Sequence, residues 1–239
     1  MSHTKYNTLP DITLEEKANF KYTINKVGME NVEIPLYFKT KTNQINKYLA
    51  SINLSVDIKD PDIKGIHMSR LYQEALQYFE NTPFTPQTIN ELLTKLIQSQ
   101  KDTSNNSYLS VSFNYEKKQN SLISQKHGWR YYPIQYHFHK NKTSIISEVT
   151  LTIIYSSTCP CSTALSKQLQ LKAFNNHFKE EKEIQKTDIE KWLESEKSSA
   201  AFPHAQRSKA KIKLKFDQPI NLLHPDDLID QFESSIKTN

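Results

Sequence analysis

The order in which strand-like and helix-like patterns alternate along this chain restricts its fold more than any single motif does. Ile52, Leu54, Val56 and Ile58 alternate with polar residues, the period-two signature of a strand that buries one face. A second strand is predicted just upstream, at Val32–Thr40. Lys64-Gly65-Ile66-His67 then leads into a helix whose apolar stripe is Met68, Leu71, Tyr72, Ala75, Leu76 and Phe79, at spacings of three and four. After a break at Asn81–Phe84, Thr85-Pro86 reads as an N-cap followed by proline at the first helical position. Ile89, Leu92, Leu93, Leu96 and Ile97 form the stripe of that helix, and strands follow near Ser107–Glu116 and Tyr131–Lys140. The resulting β-β-α-α-β-β order predicts an α+β unit, an antiparallel sheet with both helices on one face.

The same order then starts again. Ile145–Ser156 is a strand with Val149, Leu151, Ile153 and Tyr155 on one side. Lys211 to Phe216 alternates lysine with Ile212, Leu214 and Phe216, so one face is buried and the other solvated. A charged insertion from Ser162 to about Ala201 separates these strands. Within it Thr187 and Glu190 fit a capping box for a helix carrying Ile189, Trp192 and Leu193. A further helix begins near Pro225, with Leu228, Ile229, Phe232 and Ile236 inward, and the sequence stops at Asn239. The expected organisation is an irregular arm over 1–30, a first module over 31–143, and a second over 144–239. That second module is incomplete and carries a helical insertion at about 163–201.

Hydrophobic content is 36% and mean hydropathy −0.68, yet twelve Tyr and eleven Phe supply the bulky groups a core needs. No run has the apolar length of a membrane span, and Met1-Ser2-His3-Thr4-Lys5 lacks the apolar core of a signal peptide. Two cysteines separated by one proline make no disulfide framework, and thiols persist best in a reducing compartment. The expectation is a cytoplasmic protein with no membrane partner. A net charge of +5 favours anionic ligands mildly. It is not concentrated into the patch that a nucleic-acid binder needs.

The chemistry concentrates in two short stretches. Ser157-Thr158-Cys159-Pro160-Cys161-Ser162 follows the clearest strand, and Pro203-His204-Ala205-Gln206-Arg207-Ser208 precedes the next. Cys161 is a metal ligand or a nucleophile, since thiolate is the reactive form in both roles. Cys-Pro-Cys is too tight for the usual two-thiolate zinc clamp, which points to one cysteine acting with distant partners. His204 is the partner of choice, because imidazole and thiolate together suit zinc or iron(II). Arg207 offers a fork for phosphate or carboxylate and Gln206 an amide. His67, Ser69 and Arg70 stand at a helix N-terminus that either binds an anion or is simply capped by Ser69. His137 and His139 share a strand face and read as packing residues, while His127, His177 and His224 have no supporting context.

Three of these motifs, Gly65-Ile66-His67-Met68-Ser69-Arg70, Cys159-Pro160-Cys161-Ser162 and His204-Ala205-Gln206-Arg207-Ser208, occur in this order in the type IB GTP cyclohydrolases. The chain resembles that family over roughly residues 30 to 236. The resemblance implies a tunnel fold, in which tandem β-β-α-α-β-β modules join antiparallel sheets into a barrel. It also implies conversion of GTP and water to dihydroneopterin triphosphate and formate, the first step of pterin and folate synthesis. A divalent metal (zinc, manganese or iron(II)) is implied, with Cys161 as a ligand and catalytic residue. His204 is then a ligand or a proton carrier, and Arg207, Gln206, His67 and Arg70 contact substrate. A homotetramer is the implied assembly.

Family members continue past the point matching Asn239 with a further acidic residue and a Glu-Ser-Ile-His motif, so the second module is expected to be truncated here. Two other readings compete. One is the tunnel-fold nitrile reductase of queuosine synthesis, with a cysteine nucleophile and a nicotinamide cofactor. The other is a non-catalytic tunnel-fold interaction protein.

Overall fold

A computed structural model describes residues 21–100, 103–121, 124, 126–216 and 223–236. The elements are β1 (Ile24–Lys39), β2 (Ile45–Ile58), α1 (Met68–Asn81), α2 (Pro86–Ser99), β3 (Ser107–Asn120), β4 (His127–Lys140) and β5 (Ile145–Thr158). These are followed by α3 (Pro160–His177), α4 (Lys186–Glu194), a short 3-10 turn (Glu196–Ser198), β6 (Ala205–Phe216) and α5 (Pro225–Ile236). The strands form one six-stranded sheet in chain order, and every pair from β1 to β5 is antiparallel. The α+β expectation holds. The chain divides into two compact units, Met1–Ile153 with Lys211–Ile236 and Ile154–Ala210 with Lys237–Asn239.

In the first unit, cross-strand register builds the core in rows. Val32, Ile52, Val111, Tyr136 and Val149 stand opposite one another across five strands. Leu54, Leu109 and Phe138 form the next row. Leu71, Ala75 and Phe79 of α1, Ile89, Leu92, Leu93 and Leu96 of α2, and Leu228 and Ile229 of α5 join the same buried cluster. Each buried Leu, Ile or Phe among them contributes about 2 kcal/mol through burial. On β6, Ile212, Leu214 and Phe216 pack on this core while Lys211, Lys213 and Lys215 stay exposed, as the alternation requires. The opposite face of the sheet is lined by Asn53, Ser55, Ser110 and His137.

Local signals explain most boundaries. Thr85 accepts from Thr88 N at 3.2 Å while the Thr88 hydroxyl accepts from Thr85 N at 2.9 Å, a closed capping box with Pro86 at the start of α2. Elsewhere the structure corrects the sequence. β1 begins at Ile24, eight residues before its alternation becomes visible. Register shifts between Ile24 and Val27 and between Met29 and Val32, with Asn31 at φ 56°, scramble the period there. Of the arm expected over 1–30, residues 1–20 lie outside the described residues. The N-cap of α1 is His67, without a side-chain cap bond, and not Ser69. The Thr187–Glu190 capping box does not form, because α4 starts at Lys186 with Gln185 as N-cap and Thr187 is already helical.

Candidate active site

In the second unit, β5 ends at Thr158 and Cys159 becomes the N-cap of α3, with φ −65° and ψ 122°. Pro160 occupies the first helical position, which suits its fixed φ and missing N–H. Cys159 O accepts from Thr163 N at 2.9 Å and from the Thr163 hydroxyl at 3.0 Å, which closes the first helical turn. Cys161 follows in the first helical turn and is exposed, whereas Cys159 is half-buried.

The second motif reaches this turn through backbone. His204 N donates to Ser162 Oγ at 3.2 Å, which ties the residue after Cys161 to the histidine forty-two positions later. One step along the strands, Ser157 Oγ and Ser208 Oγ share a 2.7 Å hydrogen bond. These two links place the backbone of His204 beside Ser162, the residue after Cys161, just before the start of β6. Gln206 and Arg207 are exposed on its first residues.

The insertion between the motifs has its own small core. Phe174, Phe178 and Trp192 meet at ring separations of 4.9 to 6.2 Å, and Phe178 and Trp192 are buried. Gln170 Nε2 donates to Ala201 O at 3.3 Å, closing the insertion against α3. The intervening residues therefore form a helical loop that leaves and returns at one place.

The other two predicted contacts lie in the first unit. His67 N donates to Gln100 Oε1 at 3.0 Å, and Gln100 Nε2 donates back to His67 O at 3.4 Å. Arg70 Nη1 donates to Ser99 O at 3.3 Å, satisfying a carbonyl at the end of α2. His67 and Arg70 thus fasten the start of α1 to the end of α2. Gln100, 2% exposed, is the anchor that sequence reading overlooked. Nothing local to Gln100 announces a partner thirty-three positions away.

Thiolate and imidazole suit a divalent metal such as zinc in kind. In number they do not complete a centre, since among the described residues no group of three or more His, Cys, Asp or Glu stands close enough to hold an ion. The scaffold is thus an α+β one in which Cys161 lies on a strand-to-helix turn and the backbone of His204 is tied to that turn through Ser162.

Comparison with known proteins gives the chain a family. The family model for type I GTP cyclohydrolase FolE2 matches residues 9–239. A GTP cyclohydrolase FolE2 of Hydrogenovibrio crunogenus is 34% identical over 232 residues, covering 96% of this chain and 73% of the relative. Those of Pseudomonas putida and Pseudomonas savastanoi pv. phaseolicola are each 35% identical, covering 96% and 97% of this chain and 74% and 77% of theirs. A solved hyper-thermostable uricase overlays on 86% of this chain and 96% of its own at a TM-score of 0.35 and 10% identity, too low to carry an argument. The chain belongs to the type I GTP cyclohydrolase FolE2 family.

Proposed function

We propose that this chain is a GTP cyclohydrolase of folate synthesis, converting GTP and water to dihydroneopterin triphosphate and formate at a site built on Cys161 and His204. Family membership supports the activity. The observation that supports the site is the hydrogen bond from His204 N to Ser162 Oγ. It joins two motifs that the chain separates by about forty residues.

In this reading Cys161 and His204 are two ligands of a divalent metal (zinc, manganese or iron(II)). When bound, the metal supplies Lewis-acid chemistry that lets water act as a nucleophile near neutral pH. Hydrolysis at the carbon of guanine's five-membered ring breaks its bonds to both ring nitrogens and releases formate. Those nitrogens need protons as they depart, which a general acid supplies. Arg207 binds triphosphate oxygens through its guanidinium fork, and Gln206 offers an amide to the purine edge. In the first unit, His67 and Arg70 at the start of α1 are the residues suited to a phosphate group of the substrate, since the first helical N–H groups favour phosphate oxygens.

At the level of assembly, we assign the chain to the type IB class with a tunnel fold. Residues 31–143 form the first module and 144–239 the second, working as a homotetramer in the cytoplasm. The β-β-α-α-β-β order and the sequential sheet, with β1 and β6 at its ends, support that assignment. The test is incubation of the folded protein with GTP and each metal in turn, following pterin fluorescence and formate. Both should appear in equal amounts, without any need for NADPH. Absence of both with zinc, manganese and iron(II) contradicts the proposal.

A further inference from the structure

The reverse face of the first unit's sheet, opposite the core, holds two cavities, of about 410 and 480 Å3. The larger takes lining residues from every strand, among them Lys26 of β1, Ser55 of β2, Tyr108 of β3, His139 of β4, Glu148 of β5 and Lys213 of β6. Its floor is set by register. Asn53, Ser110, His137 and Glu148 are direct cross-strand partners, and Ser55, Tyr108 and His139 form the adjacent row. Hydroxyls, an amide and imidazoles thus occupy the reverse of the positions that carry Leu, Val and Phe on the core face.

The polar groups are held in defined states. Asn106 Nδ2 donates to Asp57 Oδ2 at 2.8 Å, which turns Asn106 Oδ1 towards His139 Nε2 at 3.0 Å. An amide oxygen only accepts, so this network assigns the His139 proton to Nε2 and leaves Nδ1 as the acceptor of the neutral ring. The His139 ring stacks on Tyr108 at 4.4 Å, and Lys26 Nζ lies 4.3 Å from the Tyr108 centroid. From the far side Lys213 Nζ reaches Glu148 at 2.6 Å.

Burial is the first cause holding both histidines below the ordinary imidazole value. At His137, Glu148 opposes that shift and Lys213, Lys26 and Lys211 reinforce it; at His139, Lys26 reinforces it and Asp57 opposes. Lysines on β1 and β6 therefore act on the same floor from both ends of the sheet.

We propose that this trough binds a phosphate-type oxyanion between Lys26 and Lys213, on the polar floor of Asn53, Ser55, Ser110 and the two histidines. Its volume suits a small phosphate ester or pyrophosphate. Three ammonium groups, those of Lys26, Lys213 and Lys215, with N–H and O–H donors beside them match an oxyanion, against two carboxylates, Glu30 and Glu148, and an apolar share from Leu109, Phe138 and Ile146. Glu148 is already held by Lys213, so its charge opposes the ligand less than an unpaired carboxylate would. A bound anion offsets the lysine field, so His137 and His139 should gain protons on binding and affinity should rise as pH falls towards their range. The proposal goes beyond GTP turnover and does not depend on it.

The probe is pyrophosphate at low salt, followed through the histidine ring protons by NMR, in the wild type and in Lys26→Ala, Lys213→Ala, Lys26→Arg and Cys161→Ala. Saturable shifts of the His137 and His139 signals are expected, with both titrations displaced to higher pH. Each alanine variant should weaken binding about tenfold or more, the order expected for one charged contact. Lys26→Arg should largely restore it, and Cys161→Ala should leave it unchanged. Linear, non-saturating shifts, or affinity indifferent to both lysines, would overturn the proposal. So would loss of binding in Cys161→Ala, which would place the anion at the site proposed for GTP. Should an alanine variant fail to fold by circular dichroism, Lys26→Arg against Lys26→Glu decides: equal affinity in both overturns it.

Discussion

Gly28 lies where β1 approaches β2 so closely that a Cβ would meet Leu54 O at 1.9 Å and Ser55 Cα at 2.6 Å. Both obstacles are backbone and cannot rotate away. Gly28→Ala should therefore lower the unfolding free energy by about 2 kcal/mol or more, read from urea titration. Ser162 works differently, since its hydroxyl accepts the backbone N–H of His204 in an exposed place. Ser162→Ala should cost only about 0.5–1.5 kcal/mol of stability, because water can take over that N–H. It should weaken metal retention more than stability, because it unties the two proposed ligands; equal loss in both would argue against that role. Cys161 and His204 are legible in the sequence as chemical types within short motifs. The bond from His204 N to Ser162 Oγ, and Gln100 behind His67, are not. A hydrogen bond between residues forty-two positions apart leaves no local pattern.

Among the elements, β2, α1, α2 and α5 could be read from periodicity because each has one apolar face against the core. α3 could not. Its inward side carries Ser162, Ser166 and Gln170, with Ser166 its one buried residue, while Leu165, Leu169 and Leu171 are 57%, 40% and 60% exposed. A helix that turns leucines outward has no readable stripe. The contrast is testable. Leu165→Gln should change stability by less than about 0.5 kcal/mol, as at an ordinary surface position. Trp192→Ala, which removes the centre of the Phe174–Phe178 cluster, should cost about 3 kcal/mol or melt the insertion first. Protease nicking between 160 and 201 in Trp192→Ala but not in Leu165→Gln would report that local melting. β1 was half legible for the reason already given, a bulged edge whose alternation resumes only after Asn31.

For the whole molecule, stability should form a plateau bounded by two sets of rings. His137 and His139 sit below their unfolded value, so folding favours their neutral forms. Their contribution is present above about pH 6.5 and is lost as pH falls through the folded values. Tyr132 is pushed up to about 12, by burial first and then by its hydrogen bond to Glu233, and burial also raises Tyr136 and Tyr115. Their contribution is full below about pH 10 and disappears as pH climbs towards the folded values. Urea unfolding at a series of pH values should therefore show a decline on each side of neutrality. A profile rising steadily from pH 5 to 11 would contradict this assignment. The account as a whole rests on Cys161, not Cys159, meeting His204 at one metal. X-ray absorption on the zinc-loaded protein tests that directly. It should show one sulfur scatterer at about 2.3 Å with nitrogen or oxygen in the remaining shell, lost in Cys161→Ser and kept in Cys159→Ser. A sulfur scatterer that survives Cys161→Ser, or a shell of two sulfurs, would contradict the account.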